Sequence, residues 1–187
     1  MEKLKNGAGF LTNRNEVSIK FEIAMALDGE KRTEEALKHY SDLLPAVDID
    51  SYYELNIRYE IARLNLKLWL QNKIKDYAPN LRQAASDWRF WLNRDWHKET
   101  TKLWGYYHAA CAEKELASLG GPEKSLREHR YAENIERFLQ IARQAKGIKR
   151  YEVRFTSFFL EIFDYEEFPG EPLKCGLAGV LKEFMIR

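Results

Sequence analysis

The residues best suited to chemistry form a small group on one predicted helix. His108 and Cys111 lie three positions apart, and Glu115 follows one turn later. Imidazole, thiolate and carboxylate groups on one helix face are suitable ligands for a transition metal. Such groups also meet often by chance, and His108 and Cys111 lie among apolar neighbours. Structural roles are therefore favoured for both residues, and we expect no bound metal.

Recognisable catalytic motifs are absent from the rest of the sequence. It contains no glycine-rich phosphate loop, no nucleophile elbow and no zinc-binding His-Glu-x-x-His motif. Carboxylate pairs such as Glu34-Glu35 and Glu166-Glu167 are more typical of solvated helix ends than of acid–base catalysis. We therefore expect a non-enzymatic protein with no catalytic residues and no cofactor.

A cluster of tryptophans and basic residues is the stronger binding signal. Residues 51–150 carry 19 Lys and Arg against 12 Asp and Glu, so this region can attract an anionic partner. The mixture suits base stacking with phosphate contact, but it equally suits helix packing with charges extending outwards. Packing is favoured for Trp88 and Trp91, and nucleic-acid binding through residues 51–150 is the alternative function. The cluster consists of Trp88, Trp91, Trp96 and Trp104, interleaved with Arg89, Arg94, Lys98 and Lys102.

The composition is that of one globular domain. Of 187 residues, 45% are hydrophobic and 32% are charged, which is enough apolar content for a sizeable core. Residues 1–14 are expected to be a flexible lead, and residues 15–187 a single α-helical domain. Cys111 and Cys175 show no framework spacing and are expected to be buried free thiols. Because neither a secretory signal nor an apolar run of about 18 residues occurs, we expect a cytoplasmic protein that does not cross a membrane.

Apolar residues recur at helical spacing along most of the chain. Ser51 is a predicted N-cap, Pro79 fits the first turn of a helix, and Gly120-Gly121-Pro122 predicts a break. Residues 151–164 fit a helix better than a strand, because a lone strand would lack a pairing partner. The pattern predicts an all-α fold of about eight helices in antiparallel pairs, with an irregular helical bundle as the alternative. The predicted helices lie near residues 17–28, 33–44, 52–72, 78–92, 95–119, 126–147, 151–164 and 173–185.

Three alanines mark a regular spacing between these helices. Ala36, Ala84 and Ala132 follow one another at intervals of 48 residues. Ala36 is followed by Tyr40 and Leu43, and Ala84 by two tryptophans at the same offsets. A small residue followed by bulky side chains four and seven positions later allows two helices to pack closely. Repetition at this scale is typical of stacked helical hairpins.

The first hairpin, over about residues 17–45, resembles a tetratricopeptide repeat. That family has a large and a small residue side by side in its first helix, then an alanine followed by an aromatic residue in its second. The interval of 48 residues exceeds the roughly 34 of the standard repeat, and Glu136 replaces the aromatic residue in the third hairpin. The resemblance implies stacked hairpins whose first helices line a concave surface. It is carried by Ile23, Ala24, Leu27, Ala36, Tyr40 and Leu43.

The resemblance also implies where a partner would bind. Side chains on the first helix of each pair, facing away from its second helix, would form a groove. Amide, basic and aromatic groups there can hold an extended acidic peptide. We therefore expect a protein- or peptide-binding adaptor or regulatory domain, with an acidic partner preferred over nucleic acid and with a homodimer as a further expectation. The expected groove residues are Asn56, Tyr59, Arg63, Lys67, Lys102 and Tyr106.

Overall fold

Six α-helices account for nearly all of the described chain. The computed structural model describes residues 2–49, 51–94 and 102–148, and the side chains of 16–49, 51–94 and 102–141. No strand occurs within these ranges, which confirms the all-α fold class. None of the helices in them combines the length and the hydropathy needed to cross a bilayer. The helices are α1 (Glu2–Gly29), α2 (Thr33–Leu43), α3 (Tyr52–Asn72), α4 (Ala78–Leu92), α5 (Leu103–Ser118) and α6 (Lys124–Ile148), with short 3-10 turns at Leu44–Ala46 and Lys75–Tyr77.

The remaining predicted helices lie outside the described residues. These are the segments at 151–164 and 173–185, together with the first residues of the helix expected to begin near 95. The count of eight helices and the tetratricopeptide-like stacking therefore stay predictions.

Local sequence signals explain several helix ends. Ser51 caps α3, because its hydroxyl accepts a hydrogen bond from the Glu54 backbone N–H at 3.1 Å. Pro79 lies in the first turn of α4, where its missing N–H has no helical partner to lose. Gly120 and Gly121 follow α5 with φ values of 75° and 95°, a region that favours glycine. These three predicted boundaries are confirmed.

Two boundaries in the first hairpin differ from the expectation. α1 begins at Glu2 rather than near Val17, since no proline interrupts the chain before Pro45. Most of the expected N-terminal lead is therefore part of this helix. Thr33 is the first residue of α2 rather than its N-cap, and its hydroxyl donates to Asp28 at 3.4 Å. Thr33 thereby links the start of α2 to the end of α1.

Each helix packs against the next one along the chain, and α3 also contacts α5. α3 is the central element because it has two apolar faces. Leu55, Tyr59 and Leu66 belong to a larger core with α4, α5 and α6, whereas Ile57 and Leu64 belong to a smaller core with α1 and α2. Polar side chains on α3 are consequently enclosed between two cores.

The alanine spacing is only partly reproduced in the packing. Ala36 and Ala84 are fully buried, as are the bulky residues four and seven positions after each. Ala132 on α6 is exposed, because α6 buries Phe138 and Ile141 against the larger core instead. The first two alanines are therefore helix-packing residues, and the third is not.

Candidate functional site

The groove residues predicted on α3 do not share one environment. Tyr59 lies in the larger core, where its ring centroid is 5.0 Å from that of Trp88 and 5.4 Å from that of Trp91. Asn56 is partly exposed, and its side-chain amide donates to the Tyr52 carbonyl of the same helix. Tyr59 is thus a packing residue, while Asn56 retains an accessible side chain.

Two further groove residues belong to a largely buried ionic network that joins α1 to α3. Arg63 Nη2 donates to Asp28 Oδ2 at 2.7 Å and to Glu60 Oε2 at 2.6 Å. Lys67 Nζ donates to Asp28 Oδ1. We refer to Asp28, Glu60, Arg63 and Lys67 as the Asp28 network. The charges of Arg63 and Lys67 are therefore neutralised within the fold.

The two carboxyl groups of the Asp28 network respond differently to burial. Burial favours a raised pKa for Asp28, but the hydrogen bonds from Lys67 and Arg63 outweigh it and lower the pKa. For Glu60, burial outweighs the attraction of Arg63 and raises the pKa. Glu60 Oε1 also accepts no hydrogen bond within the described part of the chain. Asp28 is consequently the firmly ionised anchor of the network.

The groove residues predicted at α5 are also buried or half-buried rather than fully exposed. Lys102 is buried at the start of the helix, and Tyr106 is half-buried against the larger core. Of the six expected residues, Arg63 and Lys67 are the pair that the structure joins directly, through their shared contact with Asp28.

The candidate metal ligands on α5 have separate structural roles. His108 is buried and its ring stacks on that of Trp88, with centroids 5.3 Å apart. Burial, reinforced by the charge of Arg63, lowers the pKa of His108 to about 3. Glu115 accepts a hydrogen bond from Trp69 Nε1 at 2.9 Å. Among the described residues, no three His, Cys, Asp or Glu side chains are grouped as a metal would require.

Cys111 differs from the sequence expectation. Its side chain is fully buried, but it is disulfide-bonded, so the prediction of a free thiol is wrong at this position. The spacing of two cysteines carries no signal from which a bond can be inferred. Cys175, the other cysteine of the chain, lies outside the described residues.

Three of the four clustered tryptophans are core residues. Trp88, Trp91 and Trp104 are buried, and Trp91 Nε1 donates to the Leu55 carbonyl at 3.2 Å. Trp96 lies outside the described residues. The predicted packing of Trp88 and Trp91 is therefore confirmed, and the three buried rings are not exposed for stacking on bases.

An exposed aromatic residue on α4 is in contact with two arginine side chains. Phe90 is 42% exposed, and the guanidinium carbons of Arg58 and Arg94 lie 4.5 and 4.6 Å from its ring centroid. Both distances are within the range of a cation–π contact. The buried Glu54 accepts a hydrogen bond from Arg58 Nε at 2.7 Å and lies 4.0 Å from Arg94. We refer to Arg58, Phe90 and Arg94 as the Phe90 face.

Sequence reasoning did not single out this face. Trp88 and Trp91 account for the packing side of α4, so an aromatic residue at position 90 falls outside that stripe. The position of Phe90 outside the face of α4 that Trp88 and Trp91 bury was therefore the available signal that its ring is exposed. No comparable signal existed for Arg58, which comes from the preceding helix.

A second arginine cluster surrounds a buried carboxylate on α5. Glu113 is buried and accepts two hydrogen bonds from Arg127 Nη1, at 3.0 and 3.4 Å. Arg89 approaches from α4, with its Nε 4.0 Å from Glu113 Oε1. Arg127 Nη2 also donates to Glu123, and Arg130 follows one turn later on α6. We refer to Glu113, Arg89, Arg127 and Arg130 as the Glu113 cluster.

Comparison with known proteins does not assign a family to this chain. No protein-family model, curated protein or solved structure matches it. The tetratricopeptide resemblance of the first hairpin therefore stays a prediction. The Phe90 face and the Glu113 cluster are the surface features that suggest a function.

Proposed function

We propose that this chain is a non-enzymatic helical-hairpin domain that binds a segment of a protein partner at the Phe90 face. The observation that carries the proposal is the exposed ring of Phe90 in contact with the guanidinium groups of Arg58 and Arg94. Aromatic and arginine side chains are enriched at the energetic centres of protein interfaces. The proposed partner segment supplies an apolar side chain for the ring and carboxylates for the arginines.

The arginines of the Phe90 face are held in position before a partner binds. Arg58 is fixed by Glu54 and by the ring of Phe90. The bond from Arg58 to Glu54 uses only the Nε atom of Arg58. The two terminal nitrogens of Arg58 make no hydrogen bond to any described residue. Fixing a long side chain in advance reduces the conformational entropy lost on binding. Carboxylate recognition at Arg58 therefore requires little rearrangement.

The groove expected from the sequence is a secondary part of the proposal. Asp28 and Glu60 neutralise the two basic groups that the groove has on α3. The groove therefore attracts an acidic partner less strongly than an exposed arginine does. Tetratricopeptide-like stacking of the hairpins and a homodimer also stay within the proposal. The groove residues divide by exposure into Asn56, Lys67 and Tyr106, which are partly exposed, and Tyr59, Arg63 and Lys102, which are buried.

Selection from a random peptide display library tests the proposal, because it requires no identified partner. We expect enriched peptides to combine acidic and apolar residues and to bind the wild-type chain. Phe90→Ala should weaken that binding about tenfold or more. Ile74→Ala removes a side chain that is 50% exposed elsewhere on the surface, and it should leave binding unchanged.

The stability of Phe90→Ala decides how a loss of peptide binding by this variant is interpreted. Since Phe90 is exposed and lies outside both cores, Phe90→Ala should retain the helical circular dichroism spectrum and a thermal midpoint close to that of the wild type. Equal peptide binding by the wild type and by folded Phe90→Ala would remove the Phe90 face from the proposal.

Nucleic-acid binding through residues 51–150 is the alternative function. It is supported by the excess of basic residues in that region, while the burial of three tryptophans leaves phosphate contact as its main source of affinity. Binding of single-stranded RNA with a steep salt dependence, together with a peptide selection that enriches nothing, would favour this alternative.

A cytoplasmic location completes the proposal and has its own test. Disulfides are uncommon in the cytosol because glutathione and thioredoxin keep thiols reduced, and Cys111 is disulfide-bonded in the structure. Alkylation of thiols during lysis of the native cells in denaturant, followed by mass spectrometry, distinguishes a reduced Cys111 from a disulfide-bonded one, because denaturation exposes the buried side chain to the reagent. An alkylated Cys111 would agree with a cytoplasmic location, and a protected Cys111 would contradict it.

A further inference from the structure

The Glu113 cluster and its neighbour Glu123 carry more positive than negative charge. The guanidinium groups of Arg89 and Arg127 lie beside the two carboxylates. Arg130 is one turn after Arg127 on α6 and is close enough to Arg89 for their charges to interact. Arg127 alone bonds to both of them, because Nη1 donates to Glu113 and Nη2 to Glu123. One guanidinium charge is left over among the described residues of this cluster.

The unused donors belong to Arg89 and Arg130. Arg89 Nε donates to the Ala85 carbonyl at 3.1 Å, but the two terminal nitrogens of Arg89 make no hydrogen bond within the described ranges. Arg130 makes neither a hydrogen bond nor an ion pair with any residue of those ranges. The side chain of Arg89 is 43% exposed and that of Arg127 is 13% exposed. The cluster is therefore open to solvent on the α4 side and closed around Arg127.

Arg89 and Arg130 also repel each other. Burial lowers the pKa of Arg89, and the nearby charge of Arg130 lowers it further. Glu113 and Glu123 oppose this effect only in part. An anion placed between the two arginines would relieve the repulsion, because a local excess of positive charge attracts negative ligands.

We propose that Arg89 and Arg130 bind a phosphoryl group, while Arg127 pairs with Glu113 and Glu123 and so limits their competition for the other two arginines. A phosphoryl group carries up to two negative charges and three acceptor oxygens, so it can accept hydrogen bonds from two arginines at once. The planar fork of arginine matches this geometry. The source is either a phosphorylated protein side chain or a small phosphorylated molecule, and the site is independent of the Phe90 face.

Isothermal titration calorimetry with two separate probes tests this site. Pyrophosphate represents a small phosphorylated molecule, and N-acetyl-phosphoserine amide represents a modified protein side chain. We expect at least one probe to bind, and the tighter of the two identifies the source. Arg89→Gln and Arg130→Gln should each weaken binding about tenfold, because each removes charge-assisted hydrogen bonds.

Matched variants separate arginine geometry from charge alone. Lys38→Gln removes one positive charge from an exposed position on α2 and should leave the affinity unchanged. Arg130→Lys keeps the charge but loses the fork, so it should bind more weakly than the wild type and more tightly than Arg130→Gln. Equal losses of probe affinity in Lys38→Gln and Arg130→Gln would overturn the proposal.

Arg130→Gln decides the outcome if Arg89→Gln fails to fold, because Arg130 has no bond in the described part of the chain whose loss would unfold it. The proposal is overturned if neither probe binds the wild type, or if folded Arg130→Gln binds as tightly as the wild type. Binding of a single-stranded oligonucleotide that requires Arg130, with neither small probe bound, would also overturn it and assign the arginines to nucleic acid.

Discussion

The Asp28 network and the Glu113 cluster both place basic side chains around a buried carboxylate, but they differ in charge balance and in enclosure. In the Asp28 network two acidic side chains face two basic ones, and none of the four is more than 19% exposed. The Glu113 cluster, counted with Glu123, contains three arginines and two carboxylates. The side chain of Arg89 is 43% exposed.

This difference separates a structural use of buried charge from a binding use. Balanced, enclosed charges satisfy one another and connect α1 to α3, so that no net charge is left for a ligand. An unbalanced cluster at the surface retains donors that can still bind an anion. Removing a charge should therefore affect mainly stability in the first region and should alter anion binding in the second.

The largest expected effect follows from breaking the Asp28 network. Arg63→Ala leaves Glu60 buried without its partner and removes one of the two cations on Asp28. Loss of one member of a buried pair costs about 3 kcal/mol of unfolding free energy, measurable by urea denaturation. Arg82→Ala removes an exposed arginine from α4 and should cause no measurable change. If Arg63→Ala changed the unfolding free energy as little as Arg82→Ala, the structural role of the Asp28 network would be contradicted.

Glu113→Gln should have a smaller effect on stability and an opposite effect on binding. The variant loses the charge-assisted bonds from Arg127, at a cost of about 2 kcal/mol. It also removes a carboxylate that competes with the ligand for the arginines, so pyrophosphate should bind more tightly. Glu60→Gln, the corresponding change in the Asp28 network, should leave pyrophosphate affinity unaltered. Weaker pyrophosphate binding by folded Glu113→Gln would contradict the comparison.

Acid sensitivity should arise from His108, which is buried in the larger core. Burial and then the charge of Arg63 lower the pKa of His108 from 6.5 to about 3. As the pH falls from about 6.5 towards 3, the unfolded chain therefore binds a proton at His108 that the folded chain does not. Stability falls over this window by up to about 1.4 kcal/mol per pH unit.

Urea denaturation of His108→Leu between pH 7 and pH 4 measures this contribution. The variant should lose stability less steeply than the wild type as the pH falls, and parallel curves would contradict the prediction. Asp28 and Glu60 titrate in both proteins and cancel in the difference. The lowered pKa of Asp28 means that its stabilisation is lost only as the pH falls through a value below 3.8. The raised pKa of Glu60 means that its contribution is lost as the pH rises above 4.5.

The smallest expected effect on stability belongs to Arg130→Gln. Arg130 makes no bond to a described residue, so its replacement should change the unfolding free energy by less than about 0.5 kcal/mol. The same substitution is expected to weaken pyrophosphate binding. A large loss of stability would show that Arg130 is a structural residue and would remove the contrast with Arg63.

Helices could be predicted from the sequence because their signals are local. Ser51 and Pro79 act within one turn of their own positions, and apolar periodicity alone places α3 and α4. The face that each helix turns to its neighbours depends on distant residues. α3 carries two apolar faces, which makes it central and encloses Arg63, whereas a charged residue is normally expected at the surface.

The candidate sites depend almost entirely on contacts between helices. Arg63 binds Asp28, which lies 35 positions earlier, and Glu113 lies between arginines from α4 and α6. No spacing rule connects such residues, so the sequence identified a basic region but not which of its arginines keep unused donors. Ala132 shows the same limitation, because a regular interval does not determine which face of α6 is buried.

Side-chain NMR of the arginines tests the distinction between the two regions most directly. The Nε–Hε resonances can be followed in ¹H–¹⁵N correlation spectra while pyrophosphate is added. We predict that the resonances of Arg89 and Arg130 shift in a saturable manner while that of Arg63 stays in place. Unshifted resonances of Arg89 and Arg130, or an equal shift of Arg63, would contradict the conclusion that the Glu113 cluster is the binding site and the Asp28 network is structural.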